Sequence, residues 1–218
     1  MKTGTSRRHR AYQQAARAEQ TAANGQSIVD AAIELVYSVR RLEEITLEAI
    51  AGQSGLTVRT ILRRFGSREG ILEAAFVQLG RKMQVDRPNT PPGDIEAALG
   101  ALLQHYELDG DLNIKALAQE ADMPLLHMMM ERGRKGHRAW LHEVFAPYIA
   151  HLSGAARERR ITEFYAATDV YLWKLFRRDL RLGKEQTAEA FRRLVLGVAG
   201  LNQDQEHANG SSLGRKRG

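Results

Sequence analysis

The sequence contains no cysteine. That absence excludes disulfides, thiol nucleophiles and cysteine-based zinc sites. Aromatic residues are few, at 6% of 218 residues, so a core must be built chiefly from aliphatic side chains. Proline is rare as well: there are five, and Pro88, Pro91 and Pro92 fall within one short stretch. No apolar run approaches the roughly 20 residues needed to span a bilayer. The leading MKTGTSRRHRAYQQ lacks the apolar centre of a secretory signal. The expectation is a cytoplasmic protein with no membrane partner. No run of β-branched residues alternates with polar ones, so strands are not expected. There is no Walker motif, nucleophile elbow or Gly-rich strand-to-helix phosphate loop. Nothing therefore points to an enzyme or to a cofactor.

The hydrophobic fraction, 43%, is ordinary for a globular protein and ample for a core. Lysine and arginine number 32 against 26 acids, a formal charge of +6. An excess of this size favours a polyanionic partner only modestly.

Helical periodicity covers most of the chain, and the expected fold is all-α with about nine helices. Residues 1–17, with Arg7, Arg8, His9 and Arg10 clustered, read as a flexible basic arm: a solvated leader, or a tail that touches DNA. Residues 18–84 read as a first domain. Its first helix runs from near Ala18 to Tyr37, with Ile28, Ala32, Leu35 and Val39 at helical spacing, or starts only at Ser27, a candidate N-cap after Gly25. A helix from Ser67 carries Leu72, Phe76, Leu79 and Met83. The stretch VDRPNTPPG, residues 85–93, breaks that helix and marks a domain boundary.

Residues 94–202 read as a second helical domain. Ile95, Leu99, Leu102, Leu103 and Tyr106 form one stripe, and the DGD at 109–111 is expected to turn. Pro124 opens a helix reaching about Leu152, with Gly133 and Gly136 as weak points. A long helix is expected over 155–180 and a last one over 184–201. Both are apolar on two sides, which requires burial on two sides: as internal helices, or against a second copy of the chain. Val170, Trp173, Arg177, Phe191, Leu194, Val195 and Val198 are the candidates for such a dimer interface. The tail, 203–218, is polar and expected to be disordered.

The richest segment is TLEAIAGQSGLTVRTILRRFGSREGIL, residues 46–72. Thr46 is an N-cap candidate for a short helix with Leu47, Ile50 and Ala51 inward. Gly55 suits the positive φ of a tight turn, and Thr57 can cap the next helix. Ile61 and Phe65 anchor that helix, with Leu62 able to join them. No acid lies between Glu48 and Glu69, while Arg59, Arg63, Arg64 and Arg68 all do. A helix-turn-helix over 46–65 follows, with its second helix facing the DNA major groove. Val58, Arg59 and Thr60 are placed to reach base edges. Arg63, Arg64 and Arg68 are better placed for phosphates, and Ser67 opens a helix whose positive end favours one.

In SGLTVRTILRRFGSREGIL, preceded by IVDAAIELV at 28–36, the segment resembles the TetR (tetracycline-repressor) family of bacterial regulators. The likeness spans about residues 27–73, with a weaker one in ATDVYLWKLFRRDL, 167–180. Leu62 stands where that family often has a phosphate-contacting tyrosine, and Arg64 where it often has histidine. The resemblance implies an all-helical homodimer that binds a palindromic double-stranded DNA operator. It further implies a C-terminal domain that binds a small-molecule effector, moves the helix from Ser67 and so releases the operator.

For that effector, an apolar or aromatic molecule is expected, with Tyr106, Met128, Met129, Trp140, Phe145, Phe164 and Tyr165 as candidate pocket residues. Ordinary core packing is the competing explanation for each. The pairs His127–Glu131 and His137–His142 lack a third ligand, so no metal is expected. The alternative to a repressor is a helical adaptor whose basic helix meets an acidic protein or an anionic membrane.

Overall fold

A computed structural model of the chain describes residues 4–85 and 90–201. The fold is all-α, and no strand occurs among the described residues. The disordered tail expected at 203–218 lies outside them. The chain divides into two compact units, Met1–Lys82 and Met83–Gly218.

In the first unit, α1 spans Gly4–Ser38. The segment expected as a flexible arm is thus helical from Gly4. Its alanines, glutamines and arginines are strong helix formers, and no proline interrupts them. Ser27 accordingly lies inside the helix rather than at its start, and its hydroxyl donates to the Ser54 carbonyl at 3.4 Å. The buried face is Ile28, Val29, Ala31, Ala32 and Val36, with Leu35 and Val39 at its margin. A 3₁₀ turn, Leu42–Glu44, leads to α2 (Leu47–Ser54), α3 (Val58–Phe65) and α4 (Arg68–Val85). Ile50, Ile61, Ile71, Leu72, Ala75, Phe76 and Leu79 complete the core. The Gln78 amide joins α4 to α1, accepting from Gln26 at 3.0 Å and donating to Asp30 at 3.1 Å.

The second unit contains α5 (Ile95–Ala118), α6 (Pro124–Val144), α7 (Ala146–Ile149), α8 (Gly154–Ala167), α9 (Val170–Lys174) and α10 (Lys184–Ala199). Asp94 caps α5, accepting from the Ala97 N–H at 2.9 Å. Three sequence expectations are corrected here. The DGD at 109–111 does not turn; α5 runs straight through it. Gly110 is buried in that helix, where the Trp173 ring approaches the backbone too closely for any side chain. The helix from Pro124 ends at Val144, not near Leu152, and it passes through Gly133 and Gly136 intact. Pro147 follows that end as the second residue of α7, where it has no backbone donor to offer.

The helix expected over 155–180 is broken at Thr168–Asp169. Asp169 takes an extended conformation and its carboxylate accepts from the Tyr171 N–H at 2.8 Å, starting α9 afresh. Thr168 is fully buried and its carbonyl accepts from the Tyr106 hydroxyl at 2.8 Å. Beyond α9 the chain widens into a π turn, Leu175–Asp179, closed by Leu180 N–H to the Leu175 carbonyl at 2.8 Å. This turn aims two consecutive arginines at α5. Arg177 forks onto Glu107, and Arg178 onto Asp111 at 2.8 Å through both nitrogens. The Arg178 guanidinium also lies over the Trp173 ring, 4.5 Å from its centroid.

Candidate nucleic-acid interface

Local chemistry sets the geometry of α2 and α3. The Thr46 hydroxyl accepts from the Ala49 N–H at 3.1 Å, and the Thr57 hydroxyl from the Thr60 N–H at 3.2 Å. Each satisfies one of the orphan donors of a helix start. Gly55 between them has φ 69°, ψ 16°, the left-handed conformation that ends α2. The Thr60 hydroxyl is held against that of Thr57 at 3.0 Å. Ile61 is fully buried and fastens α3 to the core. Thr57 is exposed, and Val58 and Thr60 half-buried.

The arginines of this segment separate into two kinds. Arg59 and Arg63 are exposed, one helical turn apart, and make no ion pair among the described residues. They share an outward face with Leu62, which is 38% exposed and does not join the core. Sequence reasoning passed over Leu62 as a surface residue, although its spacing three residues from Arg59 places it there. Arg68 turns inward: its guanidinium donates to the carbonyls of Leu42 and Ile45 and closes the end of the 3₁₀ turn. With 22% of its side chain exposed, it is a structural clamp, not an open phosphate contact. Arg64 also turns back, donating to the Thr21 carbonyl of α1 at 2.9 Å.

The start of α4 is occupied from within. The Ser67 hydroxyl accepts from the Gly70 N–H at 3.2 Å. Glu69 is held below its usual carboxylate range, chiefly by a backbone hydrogen bond at the helix start, with Arg68 and Ser67 adding to it. A carboxylate already sits where an external phosphate was expected.

In the second unit the candidate pocket residues fill the space among themselves. Phe145 stacks on Phe164 at 4.1 Å between centroids, and Trp140 meets Phe145 edge-on at 5.9 Å. His137 stacks on Trp140 and meets Tyr165 edge-on. Phe145, Phe164 and Tyr106 are buried core, so packing accounts for them. Burial also raises the Tyr165 phenol above its ordinary range. Met128 is 61% exposed, because its position on α6 points outward; Met129 is half-buried.

Two of the three histidines set aside as a metal motif, His127 and His137, have other partners. His137 Nε2 lies 3.0 Å from the Thr168 hydroxyl, which itself donates to the Phe164 carbonyl at 2.7 Å. His127 Nδ1 lies 3.0 Å from Glu120, a carboxylate shared with Arg134.

The expected dimer interface changes in the same way. Trp173, Phe191 and Val195 are fully buried inside the chain and have no surface to offer a partner. Arg177 is committed to Glu107. Leu194 is 43% exposed, and Val170 and Val198 are half-buried. Tyr171 and Leu175 are also exposed, next to the residues the sequence singled out. Among the described residues, no helix is long and apolar enough to cross a membrane.

The sequence matches no protein-family model and no curated protein at a significant level. Its fold does match solved structures. One is a transcriptional regulator from Rhodococcus sp. Rha1, with TM-score 0.60 and 16% identity over 82% of this chain and 95% of that one. Another is a candidate transcriptional regulator from Pseudomonas aeruginosa PAO1, with TM-score 0.62 and 14% identity over 81% and 90%. At such identity the likeness is one of fold.

Proposed function

We propose that this protein is a DNA-binding transcriptional regulator of the TetR type, acting as a homodimeric repressor of a palindromic operator. The observation that carries this reading is the open face of α3. Arg59 and Arg63 stand exposed on a short helix whose start is set by Thr57 and Gly55, with no carboxylate on that helix. Arginine on an acid-free, groove-sized helix is what a phosphate polyanion selects. Arg59, in the first turn of α3, reads a guanine edge, and Val58 with Thr60 lines the same end. Arg63 meets phosphate. Thr46 accepts a backbone N–H through its hydroxyl oxygen and keeps a hydroxyl hydrogen for a phosphate oxygen. Thr57 shares its hydroxyl with Thr60 and the Ser67 hydroxyl serves Gly70 and Glu69, so both act by shaping the helix starts. The transcriptional regulators that share the fold support this reading.

The homodimer in this proposal uses the outward apolar residues of the second unit, Tyr171, Leu175, Leu194 and Val198, in place of the buried ones. Two copies give the half-site symmetry that an operator of this kind needs. The effector is a small apolar or aromatic molecule that enters by parting the rings of Trp140, Phe145, Phe164 and Tyr165.

Selection of bound fragments from a random DNA pool, followed by salt titration, tests the function. A palindromic consensus and a specificity ratio of about 10³ or more over random DNA are expected. Binding that is equal on all sequences would leave only a general polyanion binder and would end the proposal.

A further inference from the structure

Arg63 and Arg64 are neighbours in sequence and both exposed, but they differ in their partners. Arg63 has no partner among the described residues. Arg64 Nη1 donates at 2.9 Å to the Thr21 carbonyl, a group already inside the α1 helix. Its guanidinium settles over Gly25: a Cβ built there would stand 2.2 Å from Nε and 2.3 Å from Cζ and Nη2. The Phe65 ring lies beside it, 5.9 Å from the guanidinium carbon.

Gly25 is buried in the middle of α1, where glycine is less favourable than alanine. Its helical backbone does not call for glycine, since it is not among the glycines with positive φ. What the missing side chain provides is a notch for a guanidinium from another helix. The far end of α3 is set by the Thr57 cap and the burial of Ile61. Arg64 supplies a second fixed point near its C-terminal end. A helix packed through Ile61 and tied again to α1 through Arg64 resists turning about its own axis, and that rotation decides where Arg59 and Arg63 aim.

We propose that Arg64 is a positioning residue for DNA reading: seated in the Gly25 notch of α1, it fixes the rotation of α3 and touches no phosphate. The proposal rests on α3 being the DNA-reading helix. The full-length protein and the DNA selected with it provide the test, through Kd measured over a range of salt. The variants are Arg64→Ala, Arg64→Lys, Gly25→Ala, the Arg64→Ala/Gly25→Ala double variant and Arg63→Ala.

Arg64→Ala and Gly25→Ala should each weaken binding by about tenfold, and the double variant no further, since both remove one contact. Neither should change the salt slope. Arg64→Lys should not rescue, because a lysine keeps the charge but not the planar fork. Arg63→Ala should instead lower the slope by about one. Circular dichroism confirms that each variant is folded, and the conservative Arg64→Lys keeps the test open if Arg64→Ala is not. A slope lowered by about one in Arg64→Ala, with Gly25→Ala unchanged in Kd, would make Arg64 a phosphate contact and overturn the proposal. Unchanged affinity in both would overturn it too. A wild-type protein with no DNA preference would bring down the underlying reading instead, and is seen before any variant is made.

Discussion

Gly110 of α5 faces the Trp173 ring so closely that a Cβ on it would stand 2.5 Å from ring atom Cζ3 and 2.7 Å from Cη2. Trp173 cannot retreat. It is fully buried, its indole N–H donates to Glu107 at 3.0 Å, and Arg178 lies over its ring. The glycine that reads as a turn in the sequence is therefore the contact point of two helices.

Gly110→Ala is expected to destabilise the fold by about 1–3 kcal/mol, the usual cost of overpacking a filled site. Gly100→Ala on the same helix is the control, since an added Cβ there meets nothing within 4 Å. It should be neutral or stabilising by up to about 1 kcal/mol through helix propensity. Thermal unfolding of the pair checks this; equal Tm values for both variants would mean that the Trp173 contact is looser than described.

Glu107 gives the fold an acid dependence of known sign. The hydrogen bonds from Arg177 chiefly, with Trp173 adding and burial opposing, hold its carboxyl down from 4.5 to about 2. A folded-state pKa below the unfolded one stabilises the protein above the unfolded pKa. That contribution fades as pH falls from about 4.5 towards 2. Glu107→Gln should lower Tm at neutral pH and flatten its fall across this window. A wild-type and variant profile that run parallel there would contradict the assignment.

Burial separates two residues that the sequence placed in one interface. Trp173→Ala should cost about 3–5 kcal/mol, as for any large aromatic removed from a core. Leu194→Arg, at a position 43% exposed, should leave unfolding within about 0.5 kcal/mol of wild type for the monomer. If Leu194 lies in the proposed dimer interface, it should also shift sedimentation to the monomer. A dimer that survives Leu194→Arg places the interface elsewhere.

Thr187, in the first turn of α10, has a buried hydroxyl with no hydrogen-bond partner among the described residues. An unpaired buried hydroxyl costs on the order of 1–3 kcal/mol. Thr187→Val keeps the shape and removes the polar atom, so Tm should rise by the equivalent of about 1 kcal/mol. A fall in Tm would show that the hydroxyl has found a partner in solution, such as a water.

What the sequence disclosed was what local chemistry decides. Thr46, Gly55 and Thr57 act within three or four residues of themselves, and their roles could be read from spacing alone. The stripe of Ile28 and Ala32 needed only helical periodicity. What stayed hidden depends on distant partners. Arg64 and Arg68 look like any basic residue until the carbonyls of Thr21, Leu42 and Ile45 are brought to them. Asp109, Gly110 and Asp111 have turn chemistry, yet Trp173 and Arg178, more than sixty residues on, make that segment helix. The break at Thr168 is set by Tyr106 and His137, neither of them near it in sequence.

The π turn at Leu175–Asp179 leaves a mark on comparative work. A π turn is an α-helix holding one residue more than its length requires. A relative with a plain helix there would be one residue shorter, and any correct alignment must open a gap inside that helix. Placed without the gap, every position from Arg177 onward would be matched to a neighbour about 100° around the helix. The forks from Arg177 to Glu107 and from Arg178 to Asp111 offer the register mark for setting it: two successive arginines whose acids lie four apart on another helix.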